Sequence, residues 1–114
     1  MAYSYTVTCT FTEAATAEEW ISWLNDEHLS DVCEAGALDA EIVRFDPDPA
    51  GEHEFIVCEV RYHFRDEASF AAYERNHAPR LREEGLKRFP PERGLQYARR
   101  TGEVRGRYPQ TDSA

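Results

Sequence analysis

Residues 16–36, TAEEWISWLNDEHLSDVCEAG, predict one long amphipathic helix around which the rest of the chain is organised. Thr16 followed by Glu19 matches a capping box, in which two side chains satisfy the free N–H groups at a helix start. Inward-facing positions recur at offsets of three, four and four residues: Ile21, Leu24, His28 and Val32. Gly36 ends the pattern. A histidine therefore occupies a position on the inward stripe where leucine would be the ordinary choice.

Two tryptophans accompany this stripe. Trp20 flanks it directly, whereas Trp23 lies further round the helix. Because a helix buries only one face, we expect one of the two indole rings to cover an edge of the core or a partner.

Four segments are predicted to be β-strands, and the first and third show the two-residue alternation of a strand. The clearest is residues 3–11, in which apolar side chains occupy every second position: Tyr3, Tyr5, Val7, Cys9 and Phe11. The others are residues 38–46, 55–64 and 96–104. A turn rich in Asp and Pro, residues 46–51, joins the second and third strands and predicts a hairpin.

A second helix is predicted between the third and fourth strands. Asp66 is placed to cap it, and its inward stripe again has offsets of three, four and four: Phe70, Tyr73, His77 and Leu81. Pro79 cannot donate an N–H, so the helix should break near residues 76–78 and restart.

The predicted order is β-α-β-β-α-β. This order is typical of the ferredoxin-like fold of the α+β class, a four-stranded antiparallel sheet in the spatial order 4-1-3-2 with two helices on one face. We expect a single ferredoxin-like domain over residues 1–104 and a polar C-terminal tail over residues 105–114 that frays. The sheet face without helices is then free for a second copy, which predicts a homodimer of the dimeric α+β barrel type.

The charge and the cysteines exclude some classes of function. The formal net charge is −9, and nucleic acid and anionic membrane surfaces attract basic proteins, so we expect neither as a partner. No apolar run is long enough for a transmembrane helix. Cys9, Cys33 and Cys58 are odd in number and lie within predicted elements, as free thiols of a reducing compartment do. Together with the lack of a secretory leader pattern, they predict a cytoplasmic protein.

His28 and His77 are the leading candidates for a functional site. Each lies in the middle of the inward stripe of its helix, so we expect the two imidazoles to approach one another above the sheet, near Tyr62 and Tyr73. Three explanations are open. The two histidines are core residues with hydrogen-bond partners, or they are polar groups of a small-molecule pocket. In the third explanation they are two ligands of a metal ion, and a thiol or carboxylate completes the site.

A second candidate lies on the predicted open sheet face, where Glu59, Arg61 and His63 project from the third strand. With Arg99 or Arg100 they could bind a carboxylate or phosphate. The alternative, which we favour, is a polar dimer interface with cross-strand ion pairs. A further set predicts only a solvated helix face with ion pairs one turn apart: Arg75, Arg80 and Arg82 with Glu74, Glu83 and Glu84.

Two blocks of the sequence resemble a known family. The first is Trp20-x-x-Trp23-Leu24-x-x-x-His28, and the second is Tyr73-x-x-x-His77-Ala78-Pro79-x-Leu81-Arg82. Both are similar to blocks of the bacterial domain-of-unknown-function family four-two-eight-six, and the resemblance spans roughly residues 5–104. It implies a dimeric, ferredoxin-like α+β barrel and no established reaction.

No motif in the sequence assigns a reaction, and we predict no bound cofactor, since a nucleotide-binding glycine loop, a P-loop and a Ser-His-Asp order are all missing. We expect a small dimeric protein that binds a small organic ligand in the barrel or in the cleft between helices and sheet. One alternative is a cofactor-independent monooxygenase or isomerase in which a histidine shuttles a proton. Another is a haem- or metal-binding protein that uses His28 or His77.

Overall fold

The computed structural model of the chain describes residues 1–51 and 55–109. The strands in these ranges are β1 (Tyr3–Phe11), β2 (Asp39–Arg44), β3 (Ile56–Phe64) and β4 (Leu95–Glu103). The helical segments are α1 (Ala14–Trp23), a π turn (Leu24–His28), α2 (Leu29–Glu34), α3 (Glu67–Asn76) and α4 (Ala78–Arg88), with a short 3-10 turn at Pro91–Arg93. The predicted order of strands and helices is confirmed.

The strands form one antiparallel sheet in the order β2-β3-β1-β4, as predicted. β1 lies in the centre and pairs along its whole length with β3 on one side and β4 on the other. Its side chains alternate between a buried face and a face without helices: Tyr5, Val7, Cys9 and Phe11 on the first, Thr6, Thr8 and Thr10 on the second. We call the second face the open sheet face.

Both helical segments pack on the same face of the sheet. Trp20 of α1 contacts Phe11 with ring centroids 5.5 Å apart, and Phe70 of α3 contacts Tyr5 at 5.1 Å. Phe11 lies six positions after Tyr5 in β1, and side chains an even number of positions apart project to the same side of a strand. This layered α+β arrangement is the ferredoxin-like fold that the sequence predicts.

The start of the first helix differs from the prediction. The helix begins at Ala14, with Glu13 as its N-cap residue and no side-chain cap. Thr16 is buried inside the first turn rather than capping it, so the predicted Thr16–Glu19 capping box is wrong. Ala14 and Ala15 have high intrinsic helix propensity, and extending the helix over them lets Ala17 join Trp20 in the core.

Both tryptophans are buried, with Trp20 2% and Trp23 8% exposed, which corrects the expectation that one of them covers an edge or a partner. Trp23 packs on Phe89 at the end of α4, with ring centroids 5.6 Å apart. The π turn that begins at Leu24 was not predicted. Within it, Leu29 N–H donates to the Leu24 carbonyl five residues back, so the following helix is rotated relative to a regular α-helix.

The second helical segment follows the prediction. The Ser69 N–H donates to the Asp66 carboxylate at 2.7 Å, which satisfies a free donor at the start of α3. The helix is interrupted at His77, whose φ of −131° is not helical, and Pro79 lies in the first turn of α4. A proline is tolerated there because its missing N–H has no intrahelical partner in any case.

The polypeptide after α4 turns sharply into β4. Gly94 has a φ of +82°, and its carbonyl accepts from the Thr12 N–H at 2.9 Å, which aligns β4 with the end of β1. After β4, Arg107 of the predicted tail lies 3.5 Å from Asp39, while residues 110–114 of that tail fall outside the described ranges. None of the described helices combines the length and the apolar character needed to cross a bilayer.

Replacing Gly94 by alanine should destabilise the protein. A Cβ atom at this position would lie 2.3 Å from Thr12 Oγ1, and the positive φ is itself unfavourable for alanine. We expect the free energy of unfolding to fall by about 2 kcal/mol or more, measured by urea denaturation. Gly102→Ala, at a β4 position where a Cβ meets nothing within 4 Å, is the matched control. Equal stability of the two variants would contradict the role assigned to Gly94.

Candidate functional site

The open sheet face brings together three of the residues that the sequence singled out. Glu59 accepts from Thr8 Oγ1 at 3.0 Å and from Arg61 Nε at 2.7 Å. Arg61 also lies 3.2 Å from Glu41, and His63 Nδ1 lies 2.7 Å from Asp39. Hydrogen bonds to Glu59 and Glu41 raise the pKa of Arg61. The donors on this face are therefore directed at neighbouring strands rather than converging on a free point.

The two arginines of β4 lie on opposite faces of the sheet. Arg100 pairs in register with Thr6 and so belongs to the open sheet face. Arg99 pairs with Val7, and its Nε donates to the Tyr5 hydroxyl at 3.2 Å on the side of the helices. Of the two predicted partners for Arg61, only Arg100 therefore shares its face.

A cleft lies between the helices and the sheet on the β4 side. Its cavity volume, measured as the space open to the centre of a water-sized sphere, is about 40 Å³. This is enough for a few atoms. Its walls come from every layer of the fold: Tyr5, Val7, Trp20, Trp23, Leu24, His28, Val60, Tyr62, Tyr73, Leu81, Arg82, Gly85, Leu86, Tyr97 and Arg99. Leu86 is 45% exposed and Arg99 is also exposed, so the cleft reaches the surface on their side. We call it the helix–sheet cleft.

Three buried polar atoms in the described part of the chain have no hydrogen-bond partner, and all three belong to residues of this cleft. They are His28 Nδ1, Tyr62 Oη and Arg82 Nε. Native proteins pair nearly all buried polar atoms, because an unpaired one costs about 1–3 kcal/mol. Three such atoms in the residues of one cleft make it the candidate site of this chain.

The π turn places His28 in the cleft. In a regular α-helix, residues five apart point about 140° away from each other. The i→i+5 hydrogen bonding instead brings the His28 ring over Trp23, with centroids 4.4 Å apart and planes 24° from parallel. Burial lowers the pKa of His28 to about 4, against a smaller opposing effect of Asp31. The imidazole is therefore neutral at pH 7, with one nitrogen able to donate and the other to accept.

Tyr62 and Tyr73 of the cleft are protonated at neutral pH. Burial, reinforced by neighbouring phenols, raises the pKa of Tyr62 and Tyr73 well above the ordinary value. The Tyr62 hydroxyl is unpaired, whereas the Tyr97 hydroxyl donates to the Phe89 carbonyl at 3.2 Å. The Tyr5 hydroxyl oxygen accepts from Arg82 at 3.4 Å and from Arg99 at 3.2 Å. Two cations thus meet at one hydroxyl oxygen.

His77 does not join His28. Among the residues that the structure describes, His28 is the only histidine of the cleft, and His77 is half-buried at the junction of α3 and α4. The expected approach of the two imidazoles is therefore not seen at this cleft. Cys9 and Cys58 are opposite each other in the sheet, and burial raises the pKa of both thiols, that of Cys9 to about 12. Within residues 1–51 and 55–109, no group of three His, Cys, Asp or Glu side chains is arranged to hold a metal ion.

Sequence reasoning did not place the two arginines in the cleft, because Arg99 was considered only for the open sheet face. Arg82 was predicted on a solvated helix face, but its Nε is buried and its guanidinium bridges Tyr5 and Glu74, the latter at 2.5 Å. The signal was present in the spacing, since Arg82 lies on a stripe with offsets of four, three and four residues: Ala78, Arg82, Gly85 and Phe89. A charged residue on an otherwise apolar or small stripe is a candidate for a buried site.

The sequence profile of a family described as "Domain of unknown function (DUF4286)" matches residues 2–99. The chain belongs to this family. The match covers both helical blocks and all four strands except the end of β4, and thus confirms the resemblance. No curated protein matches the chain in sequence.

Solved structures similar to this DUF4286 chain show the same fold. A dimeric ferredoxin-like protein from an uncultured marine organism has a TM-score of 0.70 at 14% identity, covering 96% of this chain and 100% of the other. A second protein of that description, also from an uncultured marine organism, has a TM-score of 0.66 at 16% identity, covering 93% and 97%. SnoaB, a cofactor-independent oxygenase from Streptomyces nogalater, has a TM-score of 0.63 at 9% identity, covering 96% and 98%. At these identities the likeness concerns the fold alone.

The buried imidazole of this family member should make stability depend on pH. Between the folded pKa of about 4 and the ordinary value of 6.5, the unfolded state binds a proton at His28 that the native state does not. The free energy of unfolding should therefore fall as the pH decreases, by about 2 kcal/mol between about pH 7 and pH 5 from this residue alone. Urea denaturation at the two pH values measures it. His28→Leu should remove this part of the dependence and His63→Gln should keep it; an unchanged slope in His28→Leu would contradict the assignment.

Removing the unpaired hydroxyl of the cleft should stabilise the ligand-free protein. We expect Tyr62→Phe to raise the free energy of unfolding by about 1 kcal/mol, because an unsatisfied buried donor is lost. Tyr97→Phe is the matched control: its hydroxyl has a partner, so the same change should lower stability by about 1 kcal/mol. Thermal or urea unfolding of the two variants separates them. A loss of similar size in both would show that Tyr62 has a partner in solution.

Proposed function

We propose that this protein binds a small organic ligand in the helix–sheet cleft. The observation that supports the proposal is that three unpaired buried polar atoms, from His28, Tyr62 and Arg82, belong to residues that line one cavity. They come from the first helical segment, β3 and α4, so the cavity cannot be attributed to one loosely packed element. A ligand with polar atoms would supply the missing hydrogen bonds.

The size of the cleft indicates how such a ligand lies. The enclosed space of about 40 Å³ is smaller than the ~150 Å³ cavity that admits a benzene ring. The polar end of the ligand fits inside, and its apolar body extends toward the mouth beside Leu86 and Gly85. Neither residue blocks that route, because Gly85 has no side chain and Leu86 is on the surface.

The geometry supports binding better than the alternative of a cofactor-independent monooxygenase or isomerase. A general base works best when its pKa is near the operating pH, whereas the pKa of His28 is about 4. Similarity to an oxygenase at 9% identity concerns the fold only. A haem or metal site through His28 and His77 has less support still, because the cleft is too small for a macrocycle and His77 is not among the residues that line it.

We also propose that the protein is a homodimer that pairs its open sheet faces. Support comes from the composition of that face: one end is polar, and the other carries the apolar side chains Val43, Phe45 and Val57, with Phe45 42% exposed. An exposed aromatic beside valines on a sheet face is typical of an interface. Two of the similar structures are themselves described as dimeric ferredoxin-like proteins. The three free cysteines agree with a reducing, cytoplasmic location.

Ligand binding is tested with four probes that differ in charge: benzoate, benzamide, phenol and benzylammonium. We expect at least one to raise the unfolding temperature of the wild type and to quench the fluorescence of Trp23 in the cleft wall. Gly85→Leu should abolish the effect, because a Cβ at Gly85 already lies 3.3 Å from Trp23 and the longer side chain fills the mouth. Glu84→Leu, an exposed neighbour on α4, should leave it unchanged. No response to any probe, or the same response in Gly85→Leu, would refute the proposed cleft.

The dimer is tested by light scattering after size exclusion. The wild type should have twice the chain mass of 13.1 kDa at micromolar concentration. Phe45→Asp should weaken the dimer by at least about tenfold, because burying a carboxylate in the interface costs more than about 1.4 kcal/mol. Ala15→Asp, on the exposed side of α1, should remain dimeric. A monomeric wild type, or a dimer unaffected by Phe45→Asp, would exclude this interface.

A further inference from the structure

The helix–sheet cleft has a charge opposite to that of the protein. The chain has 22 acidic and 13 basic residues and a net charge of −9. The cleft, in contrast, is lined by two arginines and by no aspartate or glutamate in the described part of the chain. If the cleft had the average composition of this protein, it would contain more acidic than basic residues. The charge therefore points to a ligand of negative charge.

The two arginines are held in different ways. Arg82 forms an ion pair with Glu74 through one terminal nitrogen, at 2.5 Å, while its Nε is buried and unpaired. Arg99 donates to the Tyr5 hydroxyl through Nε and forms no ion pair with the acidic residues that the structure describes. One charge is thus partly neutralised and has a free buried donor, and the other remains uncompensated at the mouth. Together they leave about one positive charge for a ligand.

We infer that the ligand of the helix–sheet cleft is an organic carboxylate, an assignment that rests on the proposed binding function. Its carboxylate accepts from the Arg82 Nε–H and the Tyr62 hydroxyl, two of the three unpaired buried groups of the cleft. Arg99 lies on the mouth side and lowers the electrostatic energy of the bound anion. The single compensating charge matches a carboxylate rather than a phosphate dianion.

The remaining walls suit the organic part of such a molecule. Trp23 and the His28 ring stacked on it form a flat surface, and Leu24 and Leu86 add aliphatic contacts. Tyr62 is fully buried at 1% exposure, so its hydroxyl cannot turn to solvent for a partner. A neutral amide of the same shape can accept from the Arg82 donor through its carbonyl oxygen, but it leaves the Arg99 charge uncompensated in a poorly hydrated cleft. The cleft therefore discriminates an acid from its amide.

The test compares benzoate with benzamide, which have the same shape and differ in charge. Isothermal titration of the wild type should give a dissociation constant at least about tenfold lower for benzoate, equivalent to about 1.4 kcal/mol. Arg82→Gln and Arg99→Gln should each weaken benzoate by a similar factor and leave benzamide within about twofold. Arg80→Gln, exposed on the same helix, is the control and should bind benzoate as the wild type does.

The four probes distinguish a failure of the carboxylate assignment from a failure of the proposed cleft. Benzamide, phenol or benzylammonium binding as tightly as benzoate overturns the carboxylate assignment but leaves the proposed binding cleft intact. Binding by none of the four probes overturns both. If Arg82→Gln fails to fold, Arg99→Gln still tests the charge, because its exposed side chain on an edge strand is not needed for the core. Unchanged benzoate affinity in Arg99→Gln contradicts the role given to that arginine and the inference with it.

Discussion

Two guanidinium groups share the hydroxyl oxygen of Tyr5, and the candidate site depends on this contact. Arg82 reaches it from α4 and Arg99 from β4, so one phenol ties the helical layer to the sheet edge. Tyr5 can serve both because β1 is the central strand and fixes its position from two sides. Two like charges held near one hydroxyl oxygen repel each other. Glu74 compensates the charge of Arg82 only, so the positive charge of Arg99 remains in the cleft.

The π turn gives the same cleft its second unusual feature. A helix that continued with regular i→i+4 bonds would point Trp23 and His28 in different directions, and the imidazole would leave the wall it now completes. Inserting an extra residue into a helical turn weakens its hydrogen bonding, and such turns are frequent at functional sites. The chain thus accepts a poorer helix to place one neutral histidine. His77, at the proline-adjacent break of the second helix, owes its position to ordinary backbone constraints instead.

The sequence predicted the strands and the helix break, which depend on the local spacing of residues. It did not predict the π turn or the place of Arg82, which depend on contacts between distant parts of the chain. Alternation located β1 and β3 almost to the residue because the face of a strand is decided by a two-residue period. The break before Pro79 followed from a missing donor. The π turn has no such local signal, since residues 24–28 are compatible with a regular α-helix. Arg82 was misassigned because a long charged side chain can lie on a helix stripe and still reach a polar partner across the core.

The unpaired polar groups of the cleft are not needed for the stability of the fold. A domain of this size is stable by about 5–15 kcal/mol, and each unpaired buried polar atom costs about 1–3 kcal/mol. Replacing Tyr62 and His28 by apolar residues of similar volume would remove part of that loss without altering the sheet or the helix packing. The ferredoxin-like architecture therefore does not require these polar groups, and similar structures share it at 14–16% identity. Their presence in one cleft is the feature of this chain for which the fold itself gives no reason.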